Sequence, residues 1–258
     1  MSAEPARRAL VTGASSGIGA ATARLLASRG YRVALLARRR GALEQVAASL
    51  AGSGHLALPC DVRDESAVRE SFGALRREFG GLELLVNAAG CGYRGRVEEL
   101  QVEQARAVLE TNVLGLAVCC REALPLLREG RNAVVVNVSS VVGRRGIPGQ
   151  AVYAASKAAV DSIGEALRLE WASERIAVCT LSPTLTRTGF FAAQPNPAGL
   201  PDPDLAGAWG AEQVALEILS LDRRPRPERV LKPSWRLIGV LNQISPRLTD
   251  RLLARRLS

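Results

Sequence analysis

Tyr153 and Lys157 stand four residues apart in the Ala-rich stretch AVYAASKAAVDSIGEALRLEW. On an α-helix this spacing places both side chains on the same face, one turn apart. A tyrosine normally keeps its proton until about pH 10. A neighbouring ammonium favours the phenolate, so we expect Lys157 to lower the pKa of Tyr153. Such a tyrosine exchanges a proton with an alcohol or a ketone near neutral pH.

A hydroxyl that could hold the substrate oxygen is available at Ser140, which closes the apolar run AVVVNVSS. The carboxyl ends of parallel strands face the ligand crevice of an open sheet. We therefore expect Ser140 to lie beside Tyr153. A helix with one amphipathic pair would explain YAASK alone, but it does not explain YAASK together with SS and the glycine-rich turn TGASSGIG.

The turn TGASSGIG follows the run RRALV directly and precedes a helical stretch. Its glycines allow a tight turn and a close approach of the backbone to a ligand. The free N–H groups and the positive dipole end of the next helix suit a pyrophosphate. A plain connection between a strand and a helix is the alternative for such a turn. Cofactor contacts are expected at Thr12, Gly13, Ser15, Ser16, Gly17, Ile18 and Gly19.

The end of the second apolar run, LLARRR, bears on the choice of cofactor. In dinucleotide-binding folds an acidic residue at this point usually accepts hydrogen bonds from the adenosine ribose. Ala37 stands where that acid is expected, and Arg38, Arg39 and Arg40 follow. A guanidinium binds a 2′-phosphate through paired charge-assisted hydrogen bonds. We therefore expect NADP(H) rather than NAD(H), with Arg38 and Arg39 as contacts and at least one of the three arginines in a solvated turn.

These residues belong to a regular alternation of apolar runs and helical stretches. The runs are 7–12, 31–37, 56–62, 82–87, 132–140 and 175–183. The helical stretches are 17–29, 41–51, 64–79, 101–129 and 151–174. Such an alternation predicts an α/β fold with a doubly wound parallel sheet and helices on both faces.

The composition changes after the sixth run. Residues 189–209 are rich in proline, which predicts a mobile loop or lid. Residues 210–222 are expected to be helical, and residues 228–232 are expected to form a last edge strand. We therefore assign 1–222 to a Rossmann-like catalytic domain that binds NADP(H), and 223–258 to the edge strand and a basic C-terminal extension.

Composition excludes several classes of function. The apolar stretches are too short to span a membrane, and none of signal-peptide length precedes the first motif. Five cysteines, two of them adjacent, suit neither a disulfide framework nor a metal site. His55 is the single histidine, so most zinc sites are excluded and no metal is expected. We expect reduced thiols in a cytoplasmic protein.

The net charge of +9 is concentrated at one end of the chain. Residues 223–258 carry ten Lys/Arg and two Asp/Glu, whereas residues 1–222 carry 24 and 23. A basic groove across the main domain is therefore not expected, and nucleic acid is not an expected partner.

Apolar residues recur in this basic tail on both sides of Pro246, which predicts two short amphipathic helices with a break there. They are Trp235, Ile238, Leu241 and Ile244, then Leu248, Leu252, Leu253 and Leu257. Three interpretations stay open. The apolar faces cap the domain or a dimer partner, or the tail lies on anionic lipid at the inner membrane surface with Trp235 at the headgroups. Alternatively, the arginines dock an acidic acyl-carrier protein.

Taken together, the motifs resemble those of the short-chain dehydrogenase/reductase family, single-domain type, across residues 7–190. We expect one sheet with strand order 3-2-1-4-5-6-7. The resemblance implies that Ser140, Tyr153 and Lys157 are the catalytic set, that Lys157 also holds the cofactor ribose, and that Asn112 holds a water linking the lysine to solvent. It adds cofactor contacts at Asp61, Val62, Asn87, Ala88, Gly90, Pro183, Thr186 and Thr188.

One residue departs from the family pattern. Thr184 stands where the family usually has glycine after the proline, which narrows the space near the nicotinamide and affects the size of the substrate. The lid residues Phe190, Phe191 and Trp209 suggest an apolar or acyl-type substrate. Cys91 and Tyr93, which follow the motif NAAG, are expected to border the pocket.

The resemblance implies an enzyme that interconverts a ketone or aldehyde and an alcohol with NADP(H). It also implies dimers or tetramers that pair through helices 101–129 and 151–174. Two alternatives stay open: a dehydratase or epimerase on the same fold, and an NADP(H) sensor without turnover. A sensor needs none of Ser140, Tyr153 and Lys157, and all three are present.

Overall fold

Alternating burial along the apolar runs builds the central sheet. In β1, Ala9 and Val11 pack into one hydrophobic cluster and Leu10 into another, because successive side chains of a strand point to opposite faces. The computed structural model describes residues 6–257. The strands are β1 (Arg8–Thr12), β2 (Arg32–Ala37), β3 (Leu56–Pro59), β4 (Leu84–Asn87), β5 (Val134–Val138), β6 (Ala177–Ser182), β7 (Thr186–Arg187), β8 (Trp209–Gly210) and β9 (Glu228–Val230).

Helices connect these strands and cover both faces of the sheet. They are α1 (Gly17–Ser28), α2 (Arg40–Ala48), α3 (Glu65–Phe79), α4 (Val102–Leu109), α5 (Gly115–Arg128), α6 (Ala151–Glu170), α7 (Phe190–Ala193), α8 (Ala211–Arg223), α9 (Pro233–Ile244) and α10 (Pro246–Leu257). Helices α1 and α8 supply apolar side chains to one cluster, and α3, α5 and α6 supply them to the other.

Seven strands form one parallel sheet in the order β3-β2-β1-β4-β5-β6-β9. The predicted doubly wound sheet is confirmed. Its predicted strand order, 3-2-1-4-5-6-7, is also confirmed, since β9 is the seventh strand of this sheet along the chain. The order reverses between β1 and β4, and ligands of open parallel sheets bind at the carboxyl ends of the strands beside such a point. The glycine-rich turn, Ser140 and the motif NAAG all follow strands that end at this edge.

The single helix predicted over residues 101–129 is interrupted. Residues Glu110–Leu114 form a π-helical turn between α4 and α5. π-helical turns widen a helix by one residue and occur mostly where a side chain has a special role. The interruption contains Asn112, whose side-chain bonds are described below.

The predicted lid carries short elements of its own. Helix α7 lies within it, and β7 pairs with β8 to form a separate two-stranded parallel sheet. The Trp209 N–H also donates to the Leu185 carbonyl at 3.0 Å. The segment is thus fastened at both of its ends, so it is more regular than the loop predicted from its prolines.

The tail forms the two predicted helices, α9 and α10, with Pro246 beginning the second. Trp235 is half-buried against a cluster that contains Val141, Val142 and Ala154. The expectation that Trp235 lies at lipid headgroups is not supported, because this apolar surface covers part of the indole. None of the described helices combines the length and the apolarity needed to cross a bilayer.

Candidate active site

The glycine-rich turn joins β1 to α1 in a conformation that favours glycine. Gly13 and Gly17 have φ angles of 68° and 54°, in the left-handed region. A Cβ at Gly13 would lie 2.7 Å from backbone atoms of Ala88 and Ala89, and one at Gly19 would lie 2.4 Å from the Gly13 oxygen. The turn has room for backbone alone, and the N-terminal N–H groups of α1 follow it, as a pyrophosphate site requires.

The other residues of this turn divide into two groups. Ser15, Ser16 and Ile18 are partly or fully exposed. Thr12 is buried, and its hydroxyl accepts hydrogen bonds from the Ala88 and Ala89 N–H groups at 3.1 and 3.0 Å. The Thr12 side chain therefore joins the ends of β1 and β4 and positions the turn.

The end of β2 brings two arginines to the same edge of the sheet. The Arg39 guanidinium donates hydrogen bonds to the Ser16 and Ser15 hydroxyls at 3.0 and 3.3 Å. Arg38 is exposed, and its Nη1 lies 4.0 Å from a carboxylate oxygen of Asp61. Two guanidinium groups and two hydroxyls thus surround the space beyond β2, and all of them can donate to a phosphate.

Ala37 and Arg40, on either side of these two arginines, lie in different environments. Ala37, at the last position of β2, is buried. Arg40 is 72% exposed and pairs with Glu44 one turn along α2 at 3.6 Å. Arg40 is therefore the arginine of the three that lies on a solvated helix surface.

Asp61 follows β3 and is held by a local ion pair. Its carboxylate accepts several hydrogen bonds from Arg63, the shortest at 2.7 Å. Burial opposes ionisation of Asp61, but the hydrogen bonds from Arg63 and the charge of Arg38 keep its pKa below the ordinary value. Val62 is buried in the core, where it positions this turn.

The motif NAAG follows β4. The Asn87 amide donates to Asn137 Oδ1 at 2.9 Å and lies 3.2 Å from the Cys120 sulfur, so this side chain ties β4 to its neighbours. Ala88 is partly exposed and Gly90 is exposed. A Cβ at Gly90 would lie 3.2 Å from Asn112 Oδ1 and 3.6 Å from Lys157 Nζ. The motif therefore borders the site with backbone atoms.

Ser140, Tyr153 and Lys157 are brought together as expected. Ser140 follows β5 and begins a 3-10 turn, and the other two lie on the first turns of α6. The Ser140 side chain lies beside Tyr153 and lowers the pKa of its phenol. Lys157 Nζ lies 5.8 Å from the centre of the Tyr153 ring and donates to the Val138 carbonyl at 2.9 Å. A proton donor, a second hydroxyl and a cation share one crevice.

The electrostatics of this pair differ from the sequence expectation. Burial raises the pKa of Tyr153 to about 12, although the Ser140 side chain lowers it in part. Burial also lowers the pKa of Lys157 to about 8, against the charge of Asp161. The expected lowering of the tyrosine pKa by Lys157 is therefore not found, because burial disfavours both charged forms.

Asn112 is bound to both sides of the crevice. Its Oδ1 accepts from the Cys91 N–H at 2.9 Å, and its Nδ2 donates to the Cys91 carbonyl at 2.9 Å and to Ser156 Oγ at 3.0 Å. Ser156 immediately precedes Lys157. The π-helical turn thus places an amide where it fixes the loop after β4 against α6.

The chain after β6 supplies the remaining predicted cofactor contacts. Pro183 is buried, and its carbonyl accepts from the Val141 N–H at 3.0 Å. The buried Thr186 donates its hydroxyl to the Thr184 carbonyl at 2.9 Å. Thr188 faces the glycine-rich turn, since a Cβ at Gly17 would lie 3.3 Å from its methyl group. The segment 183–188 therefore contacts both the glycine-rich turn and the loop that begins at Ser140.

The lid reaches the catalytic tyrosine. The ring of Phe190 packs on that of Tyr153, with centroids 5.6 Å apart, and on that of Phe191 at 5.5 Å. Trp209 packs against the main core instead. Of the three predicted aromatic residues, Phe190 thus contacts Tyr153 directly, and Phe191 packs behind Phe190.

Tyr93, which follows the motif NAAG, differs from expectation. Tyr93 is 1% exposed, and its hydroxyl accepts from the Gln101 N–H at 3.0 Å. It is a core residue and does not border the pocket, because the turn around Gln101 covers it.

The sequence analysis missed Arg94, a buried arginine whose guanidinium binds Asp202 at 2.6 Å and the carbonyls of Leu200 and Pro201. These partners lie more than a hundred residues away, so no local pattern reveals them.

A partly buried ion cluster behind the site was also missed. Arg144 follows the loop of Ser140, and its Nε lies 3.5 Å from a carboxylate oxygen of Asp161. The same guanidinium pairs with Glu228 on β9. Asp161 stands one helical turn after Lys157, and this spacing of four was the signal that could have identified it.

All five cysteines are free. Burial raises the thiol pKa of Cys60, Cys119, Cys120 and Cys179, and that of Cys120 reaches about 12. Cys91 is partly exposed. Within residues 6–257 no cluster of His, Cys, Asp and Glu is arranged to hold a metal ion.

Comparison with known proteins matches this geometry. A model of the short chain dehydrogenase family matches residues 7–198. Carbonyl reductase family member 4 of Danio rerio is 36% identical over 248 residues, which cover 96% of this chain and 95% of that protein.

Two solved structures share the fold with a TM-score of 0.78 and 27% identity each. One is 3-ketoacyl-(acyl-carrier-protein) reductase from Brucella melitensis complexed with NADH, covering 87% of this chain and 96% of that one. The other is an alcohol dehydrogenase from Thermococcus sibiricus complexed with 5-hydroxy-NADP, covering 88% and 96%.

Proposed function

Because this chain belongs to the short-chain dehydrogenase family of oxidoreductases, we propose that it interconverts a ketone or aldehyde and the corresponding alcohol with NADP(H). The observation that carries this proposal is the grouping of Ser140, Tyr153 and Lys157, with Lys157 Nζ 5.8 Å from the centre of the Tyr153 ring. A positioned hydroxyl, a proton donor and a cation are the groups that carbonyl reduction needs.

The cofactor residues fit a dinucleotide. Gly13 and Gly19 leave no space for a Cβ, so bare backbone and the N terminus of α1 receive the pyrophosphate. Asp61 and the NAAG backbone hold the adenosine, while Pro183, Thr186 and Thr188 hold the nicotinamide end. A bound nicotinamide supplies or accepts the hydride.

Support for NADP(H) over NAD(H) comes from the end of β2. Ala37 offers no carboxylate to ribose hydroxyls, and Arg39 is already oriented toward the turn by its bonds to Ser15 and Ser16. Arg38 adds a second guanidinium near the adenosine side. A 2′-phosphate satisfies both, whereas an unmodified ribose leaves them without an anion.

The protein residues then have separate roles. Ser140 donates a hydrogen bond to the substrate oxygen and Tyr153 gives its proton to that oxygen during reduction. A tyrosine with a pKa near 12 holds its proton at neutral pH, which suits the proton donor of a reductase. Lys157 holds the ribose hydroxyls while it is charged, and Asn112 keeps the loop at Cys91 in place against α6.

An apolar or acyl-type substrate is supported by the lid. Phe190 packs on Tyr153, and Phe191 packs on Phe190. The relatives named above act, by their names, on carbonyl compounds, on 3-ketoacyl groups carried by acyl-carrier protein, and on alcohols. We place the substrate of this enzyme among apolar ketones and 3-oxoacyl thioesters.

Assembly and compartment belong to the same proposal. Leu109 and Leu114, next to α5, and Leu169 on α6 are exposed, the last at 83%. Apolar side chains on these helices support a homodimer or homotetramer that pairs through α4–α5 and α6. The free cysteines support a cytoplasmic enzyme.

The decisive experiment is a panel of acyl thioesters, steroids, aromatic ketones and sugars, read as consumption of NADPH or NADH. Net, stoichiometric oxidation of NADPH with one carbonyl class supports the proposal. A dehydratase or epimerase transforms its substrate without net oxidation of the cofactor. A sensor binds NADPH and transforms nothing, and either result rejects the proposal.

A further inference from the structure

The inner face of the hairpin formed by α9 and α10 packs against the domain. Trp235 packs on the cluster beside the loop of Ser140, and a Cβ at Gly239 would lie 3.5 Å from Arg144 Cβ. On α10, Thr249 is buried and Asp250 pairs with Arg145. The inner face therefore caps the domain, as one of the three interpretations of the tail holds.

The outer face carries a second, separate set of apolar side chains. Five of the thirteen large apolar side chains exposed among residues 6–254 lie between positions 237 and 252. They are Leu237 at 72%, Val240 at 51%, Ile244 at 77%, Leu248 at 45% and Leu252 at 46%. The spacings of three and four within each helix put the members of each set on one side of that helix. Single exposed apolar residues are ordinary, but a concentrated set marks an interaction surface.

Basic side chains accompany this surface. Arg247 and Arg251 are exposed and directly precede Leu248 and Leu252 in α10. Asp250 is the single acidic residue between positions 233 and 257, and Arg145 pairs with it on the inner side. The outer face thus combines aliphatic groups with positive charge that no carboxylate of the hairpin balances.

We propose that the outer face of the α9–α10 hairpin binds the surface of membranes that contain anionic lipid. Aliphatic side chains enter the boundary between headgroups and acyl chains, and arginines beside them bind lipid phosphates. The shortness of both helices is compatible with this role, since such helices lie in the plane of the interface and do not span it.

Charge argues against two other occupants. A second copy on this face would bring Arg247 and Arg251 of both copies together, and like charges across an interface are unfavourable. An acidic surface would pair with the arginines, but burying Leu237 and Ile244 against its carboxylates would desolvate those charges. A lipid surface accommodates both kinds of side chain.

The test measures co-sedimentation of the full chain with vesicles. Vesicles of equimolar phosphatidylcholine and phosphatidylglycerol should bind the protein at low ionic strength at least about tenfold more tightly than phosphatidylcholine alone, and salt should release it. Replacing two aliphatics, Leu237→Gln with Ile244→Gln, should weaken binding by about tenfold or more. Leu216→Gln removes an exposed leucine on α8, away from the hairpin and from the proposed subunit interface, and should leave binding unchanged.

The contribution of charge to vesicle binding is tested with two matched double variants. Arg247→Gln with Arg251→Gln should weaken binding by roughly an order of magnitude, whereas Arg76→Gln with Arg77→Gln removes the same charge from α3 and should have little effect. All substitutions are at exposed positions, and thermal melts check that each variant folds. No association with the mixed vesicles at low salt overturns the proposal. A Leu237→Gln/Ile244→Gln variant that binds vesicles as well as the wild type also overturns it. So does a variant whose molar mass in light scattering falls while its vesicle binding is unchanged, because the outer face would then be an interface between copies of the chain. Binding to an acidic acyl-carrier protein without binding to vesicles also overturns it.

Discussion

The ring of Phe190 lies against the ring of Tyr153, with centroids 5.6 Å apart and planes inclined by 51°. One residue belongs to the lid and the other to α6, so the lid directly touches the proposed proton donor. The enclosure of a substrate and the placement of Tyr153 are therefore linked in this protein.

Tyr153→Phe should keep NADPH binding and lose nearly all turnover, because the substitution removes the proton donor and leaves the ring against Phe190. General acid catalysis is typically worth about a hundredfold or more in rate. Steady-state rates and NADPH titration by fluorescence check this. Tyr93→Phe is the matched control, since that hydroxyl bonds to a turn in the core. A Tyr153→Phe enzyme with most of its activity would mean that the proton comes from another group.

Cofactor preference should follow the end of β2. The wild-type protein should bind NADPH more tightly than NADH, and Arg38→Asp or Arg39→Asp should weaken NADPH binding by about tenfold or more while changing NADH little. Arg40→Asp is the control, because Arg40 pairs with Glu44 on the exposed side of α2. Calorimetric titration measures all of these constants. Equal affinities of the wild type for both cofactors would contradict the prediction.

NADPH binding should depend on the charge of Lys157. Since burial lowers the pKa of Lys157 to about 8, the free enzyme loses this ammonium as the pH rises through that value. An ammonium that donates to the ribose is favoured in the complex, so affinity should be full below about pH 8 and fall above it. Binding measured across this range tests the sign. Lys157→Met should bind NADPH weakly at every pH, with the step near pH 8 absent.

Arg94 should hold the lid closed. Arg94→Met removes hydrogen bonds to two carbonyls of the lid as well as the bond to Asp202. We expect faster limited proteolysis within residues 195–208 and a raised KM. Asp202→Asn should change both less than Arg94→Met does, because the carbonyls of Leu200 and Pro201 still accept hydrogen bonds from the buried Arg94 guanidinium. Unchanged proteolysis of Arg94→Met would show that other contacts close the lid.

Gly13→Ala should destabilise the protein. The substitution forces an L-residue into φ 68° and places its Cβ 2.7 Å from the backbone after β4, so a loss of at least about 2 kcal/mol is expected. Gly41→Ala is the opposite case. Gly41 lies on α2 with open space around its Cβ direction, and alanine should stabilise the helix by up to about 1 kcal/mol. Chemical denaturation of both variants measures the free energies of unfolding.

Much of the sheet was predictable because each buried strand is a short apolar run closed by a turn signal. The predicted order is confirmed, and it follows that Ser140 and the glycine-rich turn come to one edge, since parallel strands end on the same side. The assembly of Tyr153 and Lys157 on that edge also follows from helical spacing. Local pattern and topology were sufficient for these features.

Contacts between distant segments were not predictable. Arg94 finds its partners in the lid, and nothing near it in the sequence indicates burial. The π-helical turn at Asn112 was missed because apolar spacing through 101–129 remains helical. In α9 the predicted apolar face joined Trp235 to Ile244, yet Trp235 is half-buried and Ile244 is 77% exposed. A helix with apolar residues on two sides is oriented by the surface it meets, here the cluster around Val141 and Val142.

The burial of four of the five cysteines has a practical consequence for spectroscopy. Thiols react as thiolates, and burial both shields Cys60, Cys119, Cys120 and Cys179 and raises their pKa. Cys91 is partly exposed and adjoins the Asn112 amide at the crevice. A maleimide fluorophore should therefore label the unmodified chain at Cys91, giving an optical reporter of ligand binding without an engineered cysteine.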